Sequence, residues 1–392
     1  MINEEFSFIS PPKILFGPGT IEKLGVIAAS FGKQALVLRS RSMARNNERW
    51  DGIARDLAKH SIEFHALDIH GEPSPEIVDT AVREYGKAGI ETVIAIGGGS
   101  VIDTGKAISA MLPIGGPVTD YLEGIGGGKH PGTKVPFIAV PTTAGTGSEA
   151  SANTVLSRIG ADGFKKSLRH KNLVPNAALV DPALALSCPA PVTAACGMDA
   201  FTQLLEAYVS PKASPVTDAL VESALPRVRE CLVAAATNGA ADIAMRAGMA
   251  YAALISGLAL ANAGLGVVHG LASSLGGRFA VPHGVVCGTL IGKAAEATIA
   301  ALETADPRHP ALVKYARAGA IISGKKTAAV SAGCAALLQT IGIWTKALPL
   351  PRLSEFGVTR GSVEKIAAET GNRNNPIALS SGEIAEIVLS QL

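Results

Sequence analysis

The sequence predicts an α/β domain built on a parallel sheet, followed by an all-helical domain. The first observation is length, since 392 residues exceed what one ordinary hydrophobic core accommodates. The second is that the first half alternates apolar strand-like runs with amphipathic helical patterns, which is typical of a parallel sheet covered by helices. The third is that alanine-rich helical patterns dominate beyond Asp181. We therefore expect domains at residues 1–183 and 184–392, with the boundary near residues 183–189.

Composition and charge narrow the class of protein. With 47% hydrophobic and 17% charged residues the chain is expected to be globular, and a net charge of +2 gives no reason to expect nucleic acid or an acidic membrane as a partner. Its five cysteines are irregularly spaced, so no disulfide framework is expected and the cytoplasm is the predicted compartment. Residues 1–13 lack the basic flank of a secretory leader. The uncharged segment 247–268 is long enough to span a bilayer, but its small residues favour a buried helix.

In the first domain the elements are predicted from short apolar runs and from helical periodicity. Strands are expected at residues 13–16, 34–38, 63–67, 92–96 and 135–140, and helices at residues 20–31, 50–60 and 73–88. In the second domain prolines and glycines interrupt the helices, and the last helix is expected at residues 381–392.

The strand expected at residues 92–96 runs directly into Gly97-Gly98-Gly99-Ser100 and then a helical pattern. Glycines let backbone amides approach a phosphate closely, and the start of a helix adds the positive end of its dipole. Ser100 is placed as the N-cap of this helix, with Asp103 three residues later as in a capping box. The pattern fits a phosphate-binding turn, and equally a tight turn whose Ser100 and Asp103 only cap the helix.

A second polar loop, Pro-Thr-Thr-Ala-Gly-Thr-Gly-Ser-Glu at residues 141–149, follows the strand expected at residues 135–140. Open α/β sheets bind ligands just beyond the carboxyl ends of their strands. Two such loops on neighbouring strands are therefore expected to hold one dinucleotide from two sides.

Candidate metal ligands are concentrated in the second domain. Asp199 and Gln203 lie four residues apart in a helical pattern and so share one helix face. His269 and His283 both lie in apolar, glycine-rich surroundings, where an unpaired imidazole is costly. Two imidazoles and a carboxylate suit Fe²⁺ or Zn²⁺, and such a metal polarises an alcohol or carbonyl oxygen. The alternative is that both histidines are simply hydrogen-bonded in the core.

Together these motifs resemble the iron-dependent alcohol dehydrogenase family. Residues 97–106, 141–149, 197–208 and 269–284 match its motifs in order and spacing. The resemblance implies reversible hydride transfer between NAD(P)(H) and a small alcohol or aldehyde, with a metal in the cleft between the domains. Carried over by position, it implies a pyrophosphate-binding group of Gly97, Gly98, Gly99 and Ser100, a cofactor-lining group of Asp103, Thr142, Thr143 and Thr146, and the metal ligands Asp199, His269 and His283, which are also the catalytic residues.

One departure from the family pattern concerns the metal. The family's second ligand is a histidine, and Gln203 stands at that position, while Ser273 replaces a further histidine. A glutamine oxygen is a weaker donor to Fe²⁺ or Zn²⁺ than an imidazole, so Gln203 is either a fourth ligand or a hydrogen-bonding partner of a water or substrate. Three consequences are open: the affinity for the metal is low, the metal is not the iron of the family, or the activity is independent of metal. The last case resembles the related maleylacetate reductases.

Another departure concerns the cofactor. Just after the second strand many NAD-using members place an acidic residue, whereas this chain has Arg39-Ser40-Arg41. Two guanidinium groups can pair with a 2′-phosphate, so NADP(H) is the expected cofactor. The alternative is that both arginines are solvated loop charges.

The leading hypothesis is an NAD(P)-dependent, metal-assisted alcohol dehydrogenase that acts on a small alcohol or aldehyde as a homodimer or larger homo-oligomer. A metal-independent maleylacetate or oxo-acid reductase is its nearest rival, favoured if Lys165, Lys166 and Arg169 line the cleft. A dehydroquinate-synthase-like carbohydrate-phosphate enzyme and a non-catalytic NADP-binding protein are further alternatives.

Overall fold

The computed structural model describes residues 5–372 and 374–392, so the start of the N-terminal stretch and Arg373, in the loop before the last helix, lie outside the described residues. Its strands are β1 (Lys13–Phe16), β2 (Gln34–Ser40), β3 (Glu63–Ile69), β4 (Thr92–Gly97), β5 (Phe137–Pro141), β6 (Asn153–Arg158), β7 (Phe164–Arg169) and β8 (Ala177–Val180). Six of them form one parallel sheet in the order β1-β8-β5-β4-β2-β3, while β6 and β7 pair antiparallel. The predicted parallel sheet is confirmed.

Buried aliphatic residues make the centre of this sheet. The strands β4 and β5 are buried along their whole length, as expected for strands covered on both faces. Alternate side chains enter opposite cores, so that Val93 packs on one face and Ile94 on the other. The accompanying helices are α1 (Leu24–Ala29), α2 (Arg41–Arg45), α3 (Asn47–Lys59), α4 (Pro75–Tyr85) and α5 (Gly99–Met111). Because β4 and β5 are neighbours, the segments that follow them meet at one edge of the sheet.

The hairpin of β6 and β7 was not expected from the sequence. Its strands, NTVLSR and FKKSLR, are partly exposed and lack the continuous apolar run that marks the central strands. Ser157 N donates to Pro73 O (2.8 Å), and Gly160 N donates to Gly277 O (3.1 Å) in the helical half. The hairpin therefore bridges the two halves of the protein.

The second half of the chain is helical, as predicted. Its helices are α6 (Ala190–Val209), α7 (Pro215–Ala236), α8 (Ile243–Ala263), α9 (Val267–Arg278), α10 (His283–Ala305), α11 (Pro310–Ser323), α12 (Val330–Ala347), α13 (Arg360–Glu369) and α14 (Ser381–Leu389). Helix α6 packs against α7, α8 and α10 and is buried along most of its length. Polar side chains on α6 therefore lie inside the protein, where each requires a partner.

Two of these helices, α8 and α10, are long and apolar enough to cross a membrane by length and composition alone. In each, 67% of the apolar window is buried against the rest of the protein, as in a core helix. The uncharged segment 247–268 is not one continuous helix, because α8 ends at Gly264 (φ 70°) and α9 begins at Val267.

Candidate active site

A cleft of about 670 Å³ lies between the two halves of the protein. On the sheet side the cleft is lined by parts of residues 97–100 (the glycine turn) and of residues 142–150 (the threonine loop), and on the helical side by residues of α6, α8 and α9 and by the start of α10. Among the predicted site residues, those that line the cleft are Gly99, Ser100, Asp103, Thr146, Gln203, His269 and His283. The others, Gly97, Gly98, Thr142, Thr143, Asp199, Arg39, Ser40 and Arg41, are not part of its lining.

The glycine turn and the threonine loop are in direct contact. A Cβ at Gly98 would lie 3.2 Å from Thr143 Oγ1, and a Cβ at Gly99 would lie 2.6 Å from Thr146 Cγ2, so this packing requires Gly99 and leaves little room for a side chain at Gly98. In the part of the chain that the structure describes, no side chain caps the N-terminus of α5. The first-turn amides of α5 are therefore available to an anion such as a phosphate group.

The predicted capping box of Ser100 and Asp103 is wrong. Helix α5 begins two residues earlier than expected, with Gly98 rather than Ser100 as its N-cap, so that Ser100 lies within the first turn. The carboxylate of Asp103 instead accepts hydrogen bonds from Ser148 Oγ and from Val155 N. Burial raises the pKa of Asp103, and the positive charge of Lys106 partly offsets this. Asp103 therefore holds the threonine loop and the hairpin against α5, at the wall of the cleft.

Lys106 is a buried residue whose role the sequence pattern did not reveal. Its ammonium donates to the backbone oxygens of Ser148 (2.7 Å), Ser151 (2.9 Å) and Asn153 (2.8 Å). Burial lowers the pKa of Lys106 to about 8, although Asp103 opposes that shift. The sequence offered one signal of this role, a lysine within a mostly buried helical pattern. Lys106 fixes the end of the threonine loop that faces α5.

At the other end of the cleft, four side chains form what we call the ligand cluster: Asp199, His269, His283 and Cys287. Asp199 Oδ1 lies 3.4 Å from His269 Nε2 and 3.6 Å from His283 Nε2. Cys287 Sγ lies 3.7 Å from each of the same two nitrogens. One potential ligand atom from each residue falls within 4.8 Å of all the others. The structure thus brings the three predicted ligands together and adds a cysteine that the sequence reasoning missed.

Helix geometry explains how the cluster forms. Asp199 lies on α6, and His269 is in the first turn of α9. His283 opens α10, and Cys287 follows it by four residues, so both face the same side of that helix. The i, i+4 spacing of His283 and Cys287 was the signal available in the sequence.

Glu206, also missed from the sequence, orients one of the imidazoles. Its Oε2 lies 2.6 Å from His269 Nδ1, and its Oε1 accepts a hydrogen bond from Val268 N (2.7 Å). Glu206 is two helical turns beyond Asp199 and is buried. A carboxylate on Nδ1 fixes the tautomer and leaves Nε2 to act as a ligand.

The charges in the cluster are strongly coupled. Burial alone raises the pKa of Asp199, but the attraction of His283 and the hydrogen bond to His269 bring it below its ordinary value. Burial lowers the pKa of His283 to about 4, and Lys165 contributes in the same direction. Burial raises the pKa of the Cys287 thiol to about 12. Among the described residues, His283 Nδ1 is buried without a hydrogen-bond partner. A carboxylate, a neutral imidazole and a thiol at this spacing are a donor set that suits a divalent cation.

Gln203 lies beside the cluster but turns its oxygen away. Gln203 Oε1 accepts a hydrogen bond from Ser256 Oγ (2.7 Å), while Nε2 lies 3.5 Å from Asp199 Oδ1. Its role as a ligand stays a prediction, and the atom nearest Asp199 is a donor rather than a metal-binding oxygen.

The arginines predicted to bind a 2′-phosphate differ in their surroundings. Arg39 Nε donates to Asp68 Oδ1 (2.5 Å), and its guanidinium lies 4.3 Å from the centre of the Trp50 ring. Asp68 is adjacent because β3 pairs with β2 in a register that sets Arg39 opposite Asp68. Ser40 caps α2, and Arg41 is exposed. The sheet therefore supplies a carboxylate at this strand end that the local sequence did not reveal.

One cleft between a parallel sheet and a helical domain thus contains a phosphate-binding type of turn and a metal-binding type of cluster. This combination is typical of metal- and dinucleotide-dependent oxidoreductases, which is the class of protein that the fold and the site indicate. Models of two families agree with this. "Iron-containing alcohol dehydrogenase" matches residues 11–182, and "Fe-containing alcohol dehydrogenase family, C-terminal" matches residues 193–392. The chain belongs to the iron-containing alcohol dehydrogenase family.

Individual relatives agree in sequence and in structure. The chain is 32% identical to the NAD-dependent methanol dehydrogenase of Bacillus methanolicus over 98% of this chain and 100% of that protein. It is 36% identical to the 1,3-propanediol dehydrogenase of Citrobacter freundii over 73% of each. A solved structure of 1,3-propanediol oxidoreductase covers 99% of this chain and 100% of its own, with a TM-score of 0.88 and 28% identity. The predicted resemblance, the two-part fold and the oxidoreductase activity on alcohols are confirmed.

Proposed function

We propose that the cleft binds a nicotinamide dinucleotide along the glycine turn and the threonine loop, and a divalent metal ion between Asp199, His269 and His283. The observation that carries this is that both groups of residues open into one cleft. A small alcohol or aldehyde bound at the metal then lies within reach of the nicotinamide.

When bound, the metal ion polarises an alcohol or carbonyl oxygen and the nicotinamide exchanges a hydride with the neighbouring carbon. The chain's own residues prepare the site. The first-turn amides of α5 bind the pyrophosphate, and Thr146 lines the path from there to the ligand cluster. Glu206 holds His269 so that the Nε2 of this histidine points at Asp199. The metal-binding side chains are therefore already arranged before a metal ion binds.

We propose NADP(H) as the preferred form of the nicotinamide cofactor, with Arg41 as the residue that pairs with its 2′-phosphate. Arg39 is neutralised by Asp68 and stacked on Trp50, so its guanidinium is already engaged. Arg41 is exposed at the start of α2, and the position before it holds Ser40 rather than an acidic residue, while the Asp68 carboxylate is already paired with Arg39.

The metal-independent oxo-acid reductase is the second candidate, because Lys165 and Arg169 do line the cleft. Each is already paired, however. Lys165 Nζ lies 3.0 Å from Glu72 Oε2, and Arg169 Nε lies 3.2 Å from Glu123 Oε1. A substrate carboxylate would have to displace an existing carboxylate partner, so the geometry favours an uncharged alcohol or aldehyde.

We also propose a homodimer or larger homo-oligomer that works in the cytoplasm. The described cysteines are all free, which agrees with a reducing compartment. The oligomer follows from the resemblance alone, and size-exclusion chromatography with light scattering measures it directly.

The proposed function is tested by measuring NADPH and NADH oxidation with a panel of aldehydes and oxo-acids, with and without a chelator. We expect aldehyde turnover that the chelator abolishes and that added Zn²⁺ or Fe²⁺ restores. Turnover of oxo-acids alone, unaffected by the chelator, would contradict the proposal and select the second candidate.

A further inference from the structure

Cys287 is fully buried beside two of the metal ligands proposed above. Its Sγ lies 3.7 Å from His269 Nε2 and 3.7 Å from His283 Nε2, and those nitrogens lie 3.4 and 3.6 Å from Asp199 Oδ1. Ligand atoms that surround one tetrahedral ion at about 2.0–2.3 Å lie roughly 3.3–3.7 Å from one another. These four separations match four of the six edges of a single tetrahedron, and the remaining two pairs of ligand atoms lie within 4.8 Å.

We propose that Cys287 is the fourth protein ligand of the metal ion and that its sulfur makes the site select Zn²⁺ over Fe²⁺. This rests on the proposed function, since it takes the ion to lie between Asp199, His269 and His283. Binding forms a metal–sulfur bond, and the thiol proton is released to solvent. Thiolate is a softer ligand than imidazole or carboxylate and favours zinc.

The orientation of Gln203 supports this assignment. Its oxygen, the only atom of that side chain able to ligate, accepts a hydrogen bond from Ser256. Its amide nitrogen faces Asp199 instead, at 3.5 Å from Oδ1, the outer limit of a hydrogen bond, so it contributes little to holding the carboxylate. Cys287 thus supplies the donor that Gln203 does not.

A catalytic site also needs an open coordination position. His269 and His283 line the cleft, whereas Asp199 and Cys287 are buried and are not part of its lining. The two buried ligands approach from the protein side, and the cleft side remains open to a substrate oxygen. Zinc in catalytic sites sometimes expands from four to five ligands, which lets a substrate oxygen add from the cleft side to the four protein ligands.

Cobalt is the direct probe, because Co²⁺ bound by a thiolate shows a sulfur-to-metal charge-transfer absorption in the near ultraviolet. We expect this absorption in the Co²⁺-loaded protein and its loss in Cys287→Ser. The matched control is Cys334→Ala, another buried cysteine, which lies on α12 and should leave the spectrum unchanged. Bound Co²⁺ without the sulfur absorption, or an absorption that survives Cys287→Ser, overturns the assignment while the metal site itself stands. No binding of Co²⁺ to the wild-type protein overturns the metal in the proposed function as well.

Metal affinity gives a second measurement. Competition with a chelator should show Zn²⁺ bound at least about 100-fold more weakly by Cys287→Ser, since loss of an outer-shell partner alone costs 10–100-fold. Gln203→Ala should change affinity by less than about threefold, and wild-type protein offered both ions should retain zinc. Circular dichroism checks that each variant is folded. A large loss in Gln203→Ala with none in Cys287→Ser, or retention of iron in preference to zinc, contradicts the proposal.

Discussion

The two ends of the cleft are built in different ways. The glycine turn and the threonine loop follow neighbouring strands of one sheet, and they present backbone amides held in place by buried charges such as Lys106. The ligand cluster takes its side chains from three helices, of which α6 is distant in sequence from the consecutive pair α9 and α10. Substitutions in the glycine turn and the threonine loop are therefore expected to act by moving these loops. Substitutions in the ligand cluster are expected to act by removing a single metal-binding atom.

Because of this difference, variants at the two ends of the cleft should change different measured quantities. Residues of the glycine turn and the threonine loop should affect cofactor affinity and stability but leave metal content intact. Residues of the ligand cluster should affect metal content and turnover but leave cofactor affinity nearly unchanged.

The largest effect is expected for Asp199→Ala. This residue supplies the only carboxylate of the ligand cluster and is almost fully buried, so its loss leaves two imidazoles without the opposing charge. We expect metal content to fall to background and kcat/KM for aldehyde reduction to drop by roughly 1,000-fold, since Lewis-acid stabilisation contributes several kcal/mol. Cofactor affinity, measured by NADPH fluorescence, should change little. Asp51→Ala, an exposed aspartate on α3, is the control. Unchanged metal content in Asp199→Ala would refute the site.

Glu206→Gln is expected to have the next largest effect. Glutamine keeps the size of the side chain but removes the charge that holds His269 Nδ1–H, so His269 is less basic and less well oriented. Zinc affinity should fall about 10–100-fold with the fold intact. Glu230→Gln, on the exposed face of α7, is the control. Equal metal affinity in wild type and Glu206→Gln would show that Glu206 only caps the start of α9.

Glu149, in the threonine loop, tests how much an ionised buried carboxylate costs in stability at the other end of the cleft. It is 3% exposed, and burial raises its pKa to about 7. Because the folded-state pKa lies above the ordinary value of 4.5, its contribution to stability is present below about pH 4.5 and is lost as pH rises through about 7. Relative to Glu149→Gln, the wild-type free energy of unfolding should therefore fall by roughly 2–3 kcal/mol between about pH 4.5 and pH 8. Denaturant titrations at both pH values measure it, and parallel pH dependences of the two proteins would contradict the expectation.

Sequence reasoning succeeded where one short segment determines the structure. The fully apolar β4 and the glycines after it predicted a strand, a turn and a helix because these depend on neighbouring residues. It failed where partners come from elsewhere in the chain. Asp68 reaches Arg39 only through the strand order of the sheet, and Glu206 reaches His269 only because α6 and α9 pack together. Cys287 was overlooked because a lone cysteine among apolar residues resembles ordinary core.

The exact start of α5 also escaped prediction. Ser100 and Asp103 have the spacing of a capping box, but the helix starts two residues earlier, where Thr146 packs closely on Gly99. Tertiary contact here outweighs a local preference that is worth only about 1 kcal/mol.

Gly99→Ala tests that close packing directly. The added methyl group would lie 2.6 Å from Thr146 Cγ2 and 2.7 Å from Thr146 Oγ1, so the threonine loop must move away from the turn. We expect cofactor Kd to rise about tenfold, which corresponds to 1.4 kcal/mol, with zinc content unchanged. Gly342→Ala is the control, because a Cβ there meets nothing within 4 Å. A loss of zinc together with cofactor in Gly99→Ala would contradict the independence of the two ends.

The smallest effect is expected for Arg41→Ala, which acts at the outer margin of the cofactor end. Arg39 is held by Asp68 and Trp50, whereas Arg41 is exposed, so only Arg41 is free to pair with a 2′-phosphate. An exposed charge-assisted contact is worth about 1 kcal/mol, so KM for NADPH should rise roughly three- to tenfold while KM for NADH stays constant. Arg45→Ala, in the last turn of the same short helix, is the matched control and should alter neither value. If Arg41→Ala leaves the NADPH-to-NADH ratio unchanged, no arginine at this strand end selects the phosphate. Asp68, which lies opposite Arg39 on the neighbouring strand, would then be the next group to test for an effect on the adenosine ribose, with Asp68→Ala as the variant expected to shift the preference.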